Sequence, residues 1–170
     1  VTVPGAIDAF CRLSESHGKL GIDALLAPSI HYAKEGIPVA PRVAYDWPGD
    51  AESLCGHAIA HYSKASQPFG VGDVFRAPGQ AEVLRRVAKH GRDAFYTGEV
   101  ADDMISALRE HGGVHRQEDF ASTKGTSTEP VSGHYKGVEL LEHPPNGQGA
   151  AAILLLNILK HFDLASMDPL

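Results

Sequence analysis

Glu142-His143-Pro144-Pro145-Asn146-Gly147-Gln148-Gly149 runs directly into Ala150-Ala151-Ala152-Ile153-Leu154-Leu155-Leu156. This junction restricts the fold more than any other stretch. The two prolines fix φ and remove two backbone donors. The glycines that follow allow positive φ and close approach by another backbone. The turn therefore opens a helix over about 148–161, and that helix is apolar on most faces. A helix hydrophobic all round lies inside a body, here one larger than 170 residues easily supply. The same turn holds the candidate substrate contacts Asn146, Gly147, Gln148 and Gly149. The two amide side chains donate and accept, and backbone N–H groups at a helix start attract carboxylates and carbonyls. The alternative reading is a rigid turn that only seats the helix.

Upstream the pattern is helical. Ile7, Phe10 and Cys11 recur at i, i+3 and i+4, giving a helix over about 5–16 closed by Gly18. A second runs from Gly21 to Gly36, and Pro28 inside it predicts a kink or two short helices. A short helix over 42–47 and another over 51–63, with Leu54, Cys55 and Ala58 on one side, follow. Residues 67–73 are loop, with a short strand around Val74. Helices over 79–90 and from Thr97, as cap, to about His111 come next. Gly112-Gly113 ends the latter with a left-handed turn, and 117–121 is one more helical turn. The period then changes. Residues 129–135 and 138–141 form two strands around a Lys136-Gly137 turn. The whole is α+β, a mostly helical segment with a small β-hairpin.

Other chemistry is sparse. A net charge of −6 with scattered Lys and Arg excludes the basic stripe a nucleic-acid surface needs. No run reaches the roughly 20 apolar residues of a membrane span. His57 and His61 have the i, i+4 spacing of zinc peptidases, but Ala58 occupies the position of the general-base glutamate, so no metal site is expected. Gly70-Val71-Gly72-Asp73 lacks the lysine and helix start of a phosphate loop, and no cofactor is expected. There is no Gly-x-Ser-x-Gly elbow. The Ser122–Thr128 hydroxyl run is linker chemistry. His17, His31 and His90 fall near helix C-termini, where positive charge is favourable. Cys11 and Cys55 belong to no CxxC spacing and read as buried free thiols. Val1-Thr2-Val3-Pro4-Gly5 has no signal-peptide pattern, and the chain reads as a piece of a longer precursor.

Thr2-Val3-Pro4-Gly5-Ala6, Leu26-Ala27-Pro28-Ser29-Ile30 with Ala33-Lys34-Glu35-Gly36, and Asp93-Ala94-Phe95-Tyr96-Thr97-Gly98 occur in order. Gly112-Gly113 with Glu118-Asp119-Phe120, Pro130-Val131-Ser132 with Tyr135-Lys136-Gly137, Pro144-Pro145 and Leu156-Asn157-Ile158-Leu159 complete the series. The ordered set resembles the large subunit of the γ-glutamyltransferase family of N-terminal nucleophile hydrolases. The resemblance implies a precursor that cuts itself into large and small subunits and folds as a four-layer αββα sandwich. Residues 1–170 are then one segment of the large subunit. The partner is a small subunit whose N-terminal threonine is the nucleophile, in a heterodimer or higher assembly, acting on a small amide. No catalytic residue is then expected on this chain. Arg12 and Arg42 are not assigned to the family's substrate-carboxylate arginine, which lies upstream of the matched region. Where transpeptidases of the family carry a serine pair and glycines after the prolines, this chain reads Asn146-Gly147-Gln148-Gly149, closer to the amidohydrolase and acylase branches. A non-catalytic helical interaction module is the competing reading. Compartment is not assigned.

Overall fold

The computed structural model describes residues 2–51 and 53–168. The expectations placed on Val1, Glu52 and the last two residues fall outside that range. The chain divides into two compact units, 1–125 and 126–170.

The first unit opens with α1 (Ala6–His17), ended by Gly18, whose N–H donates to Ser14 O. Helix α2 (Ile22–Glu35) passes through Pro28 as one helix, so of the two expectations, a kink or two short helices, the second is corrected. Pro28 removes a single N–H, while the whole length of α2 packs along α5 (Pro78–His90). Tertiary packing outweighs one lost hydrogen bond. Ala81 and Val87 of α5 are fully buried. Between these helices lie β1 (Ile37–Pro38), α3 (Pro41–Ala51), α4 (His57–His61) and β2 (Val74–Phe75). β1 pairs antiparallel with β2, Ile37 opposite Phe75. The sequence signalled the second strand and not the first, because a two-residue strand carries no period.

The helix expected over 51–63 is shorter. Only His57–His61 is helical there, since Gly56 stands at φ +56 and breaks the helical path ahead of it. Cys55 is consequently exposed, a correction to the expectation of two buried thiols, while Cys11 is buried. Both cysteines are free. Trp47, Phe69, Phe75 and Tyr62 gather around this region, with Trp47 Nε1 donating to Tyr62 O at 2.8 Å.

The main core forms further along. After α5 come α6 (Asp93–Tyr96), α7 (Glu99–Glu110) and α8 (Gln117–Ser122). Tyr96, Ala101, Ile105 and Phe120 are buried together, flanked by Val3, Ile7, Phe95, Met104 and Leu108. Thr97 does not cap α7, as the sequence led us to expect. Gly98 at φ +68 is the N-cap, and Thr97 instead closes α6, its Oγ1 donating to Asp93 O at 2.8 Å. Gly112 at φ +82 ends α7 as anticipated.

The second unit is a hairpin with one helix. β3 (Val131–Tyr135) pairs with β4 (Val138–Glu142), and the turn uses Lys136 at φ 47 and Gly137 at φ 83. Two positive φ values match the right-handed twist of a tight hairpin. Helix α9 (Gly149–Leu159) packs on β3. Gly133 is the seat, because a Cβ there would lie 2.8 Å from Ile153 Cγ2. Among the described residues no helix is long and apolar enough to cross a membrane.

Candidate functional site

The turn between β4 and α9 is placed by its two ends. Leu140 and Glu142 turn toward the half-buried face of the hairpin, and α9 begins seven residues after Glu142. The chain must therefore reverse within 143–148, where two prolines narrow the available conformations. Asn146, Gly147 and Gln148 are exposed, and Gly149 is buried. Thus three of the four candidate contacts are open to a ligand, and the fourth is a packing position. A Cβ on Gly149 would overlap His143 O and stand 2.7 Å from Glu142 Cβ, so only glycine fits.

Helix α9 has no side-chain cap; its first bond within the turn is Ala152 N to Gln148 O at 3.0 Å. The earlier N–H groups of such a helix end are free to meet an acceptor. The carboxylate of Glu142 already stands close: its Oε2 lies 3.4 Å from where a Gly149 Cβ would be. A carboxylate at a helix N-terminus is favourable. The chain thus supplies its own anion beside this helix start. That leaves the exposed amides of Asn146 and Gln148 as the groups facing outward.

The two histidines with metal-like spacing sit on the short exposed α4, and His61 packs edge-on against Tyr62 at 4.6 Å and Phe75 at 5.6 Å. Among the described residues no group of three or more His, Cys, Asp or Glu side chains could hold a metal ion. His111 and His115 both follow the end of α7; the His115 ring lies 6.2 Å from that of Phe120, and its Nδ1 is buried without a hydrogen-bond partner. His17 and His90 are the last residues of α1 and α5, as the sequence reading placed them.

A polar cluster that sequence reasoning missed lies at the centre of the helical unit. Asp8 is 2% exposed. Arg92 Nε donates to its Oδ1 at 2.5 Å, and Gly125 N to its Oδ2 at 2.7 Å. The Gly125 N–H holds the Asp8 carboxyl below its ordinary range, helped by Arg92 and Arg12 and opposed by burial. Tyr96 Oη accepts from Asp8 N at 3.1 Å and donates to Pro4 O at 2.7 Å, with the Arg92 guanidinium 4.4 Å from its ring centre. Burial, against the Asp8 N–H bond, pushes the Tyr96 phenol up. Burial likewise raises the Cys11 thiol, with Glu15 and Asp8 adding to it. One signal was available in the sequence: Asp8 shares the helix face of Cys11 and Arg12, three and four positions on. Every acceptor and donor of this cluster is satisfied internally, so its chemistry is structural.

The sequence model of the family described as gamma-glutamyltranspeptidase matches residues 1–169. The chain belongs to the γ-glutamyltranspeptidase family. Among curated relatives, it is 31% identical to the glutathione hydrolase-like YwrD proenzyme of Bacillus subtilis over 99% of its own length and 32% of that protein. It is 29% identical to the glutathione hydrolase proenzyme of Escherichia coli, over 95% of this chain and 28% of that protein. The chain therefore spans less than a third of the length of these relatives. Among solved structures, cephalosporin acylase from Bacillus halodurans superposes with a TM-score of 0.89 at 36% identity, covering 99% of this chain and 33% of that one. The γ-glutamyltranspeptidase of Helicobacter pylori gives 0.88 at 25%, covering 98% and 49%. These likenesses and the observed elements agree on an α+β fold.

Proposed function

We propose that residues 1–170 are one segment of the large subunit of a self-processing amidase of this family. Its nucleophile is the N-terminal threonine of a companion small subunit. That hydroxyl attacks an amide carbonyl and forms an acyl-enzyme, which passes the acyl group to water or to an amine. Backbone donors stabilise the oxyanion. The substrate is a γ-glutamyl or related small acyl amide, and the assembly is a heterodimer or higher. The family match over nearly the whole chain carries this reading. The word proenzyme in the names of both relatives above supports processing. The outward face of α9 adds to it: Leu154, Leu155 and Ile158 are each more than half exposed, an apolar surface suited to cover by another polypeptide.

Within that enzyme the Asn146–Gly149 turn is assigned to the substrate side, with the Asn146 and Gln148 amides as the contacting groups. A second reading has specific support. The 36% identity to a cephalosporin acylase, against 25% to the γ-glutamyltranspeptidase above, favours an acylase or amidohydrolase acyl specificity. Asn146-Gly147-Gln148-Gly149 in place of a serine pair points the same way.

Intact-mass analysis of the purified protein tests the first reading. A second polypeptide beginning with threonine is expected, and threonine-to-alanine replacement at that position should abolish both cleavage and turnover. A protein that stays one uncut chain, and a variant that still turns over, each reject it. Hydrolysis of a γ-glutamyl anilide compared with that of oxamate and a cephalosporin side-chain amide separates the two specificities.

A further inference from the structure

Residues 123–125, which follow the end of α8, have little in their own sequence to hold them. Ala121, Ser122, Lys124 and Gly125 are exposed, and Thr123 is only half-buried. The backbone is nevertheless tied down. Thr123 N and Oγ1 bond back to Phe120 O and Asp119 O of α8. Beyond that point the ties come from the Asp8–Arg92 pair. Arg92 Nη2 donates to Thr123 O and reaches Ala121 O at 3.5 Å, and Gly125 N donates to Asp8 Oδ2 at 2.7 Å. Gly125 sits tightly against the carboxylate, since a Cβ there would lie 3.0 Å from Asp8 Oδ2 and 3.6 Å from Arg12 Cδ.

We propose that the Asp8–Arg92 pair is a latch on residues 123–125, and that its loss frees this strap while the helices stay folded. The four buried residues of the main core include none from 123–125. Charge-assisted bonds are about twice as strong as neutral ones, and in this strap they replace apolar anchoring. The strap is also the last segment of the first unit, before the chain enters the second at Thr126. Cleavage after Lys124 therefore divides the two units in sequence. The latch governs whether a protease reaches that bond.

Limited trypsin digestion of the intact protein, read by mass, tests this at neutral pH. Asp8→Asn keeps the volume but replaces one of two acceptors with an amide donor, which faces an existing N–H. Cleavage after Lys124 should then quicken by about tenfold or more, the scale of one lost hydrogen bond to a charged group. Cleavage after Lys136, in the hairpin turn of the other unit, and after Arg42 should stay at the wild-type rate. Gly125→Ala keeps both members of the pair but places a Cβ 3.0 Å from Asp8 Oδ2, crowding the strap at its contact with the carboxylate, and should act in the same way. An unchanged rate after Lys124 in Gly125→Ala overturns the latch, even should Asp8→Asn fail to fold. Equal acceleration at all sites in either variant also overturns it, since that is global unfolding.

Discussion

Tyr96→Phe is the sharpest test of how the helical unit is held together. The ring is wholly buried, and the substitution keeps it while deleting one oxygen. That oxygen has two partners distant in sequence. It takes the Asp8 N–H at 3.1 Å and gives its proton to Pro4 O at 2.7 Å. Asp8 lies in the first turn of α1, where backbone N–H groups have no intrahelical acceptor. Gly5, the N-cap, has no side chain to serve it. The phenol thus caps α1 from 88 residues away. Removing it strands a buried donor, which costs about 1–3 kcal/mol. Pro4 is exposed and its carbonyl can turn to water, so that loss adds only about 0.5 kcal/mol. We expect a total of about 2 kcal/mol, with the midpoint of urea unfolding lowered and the m-value unchanged. Thermal unfolding of this unit should fall by about 4–8 °C. A loss below about 0.5 kcal/mol would mean that the phenol is not the cap, and a changed m-value would mean that the substitution altered more than two bonds.

Asp8→Asn should be less stable than wild type at neutral pH, because the carboxyl is held below its ordinary value of 3.8 by Gly125 N–H, Arg92 and Arg12, with only the neutral Tyr96 and Cys11 otherwise facing it. A depressed carboxyl contributes stability above its unfolded value and loses it as pH falls through the folded one; the gap between the two proteins should therefore hold down to about pH 3.8 and close only as pH falls further, and a gap that stays constant well below that value would refute the assignment. Thiol labelling with a maleimide should modify Cys55 rapidly in the native protein and Cys11 only after denaturation, since Cys11 is buried with a raised thiol; mass analysis finding equal labelling would contradict the packing of α1.

What the sequence made legible was local and periodic. The hairpin over 131–142 was readable because Lys136-Gly137 between alternating residues can only turn one way. The ends of α1 and α7 were readable because glycine follows each. What failed was decided by tertiary contact. Pro28 allowed a break, but α2, packed on α5, runs through it as one helix. Thr97 looked like a cap, since a hydroxyl before an acidic helix start fits that role equally well as the close of α6. Cys55 looked buried because its neighbours are apolar, yet Gly56 turns the chain there. The family pattern was legible over the whole length, whereas the Asp8–Arg92–Tyr96 cluster was not, since its members come from α1, the start of α6 and the end of α6.

The candidate turn and the apolar helix after it bear on each other. Helix α9 rests on the hairpin through Ile153 at Gly133, and its opposite side presents Leu154, Leu155 and Ile158. The outer face of the hairpin likewise presents Leu141, and Val138 is exposed at the turn end of β4. A hairpin carrying one helix has only a small core, and leaving the outward apolar side chains of α9 in water removes much of what could stabilise it. The geometry at Gly149 is nonetheless tight, with room for no side chain between Glu142 and His143. Such close packing at the turn beside open apolar faces on the helix and hairpin is what a layer built to be covered on both sides requires. Under the proposed function, the exposed amides of Asn146 and Gln148 would stand at the edge of a surface that the companion polypeptide completes, and the turn would acquire its chemistry only with that polypeptide in place.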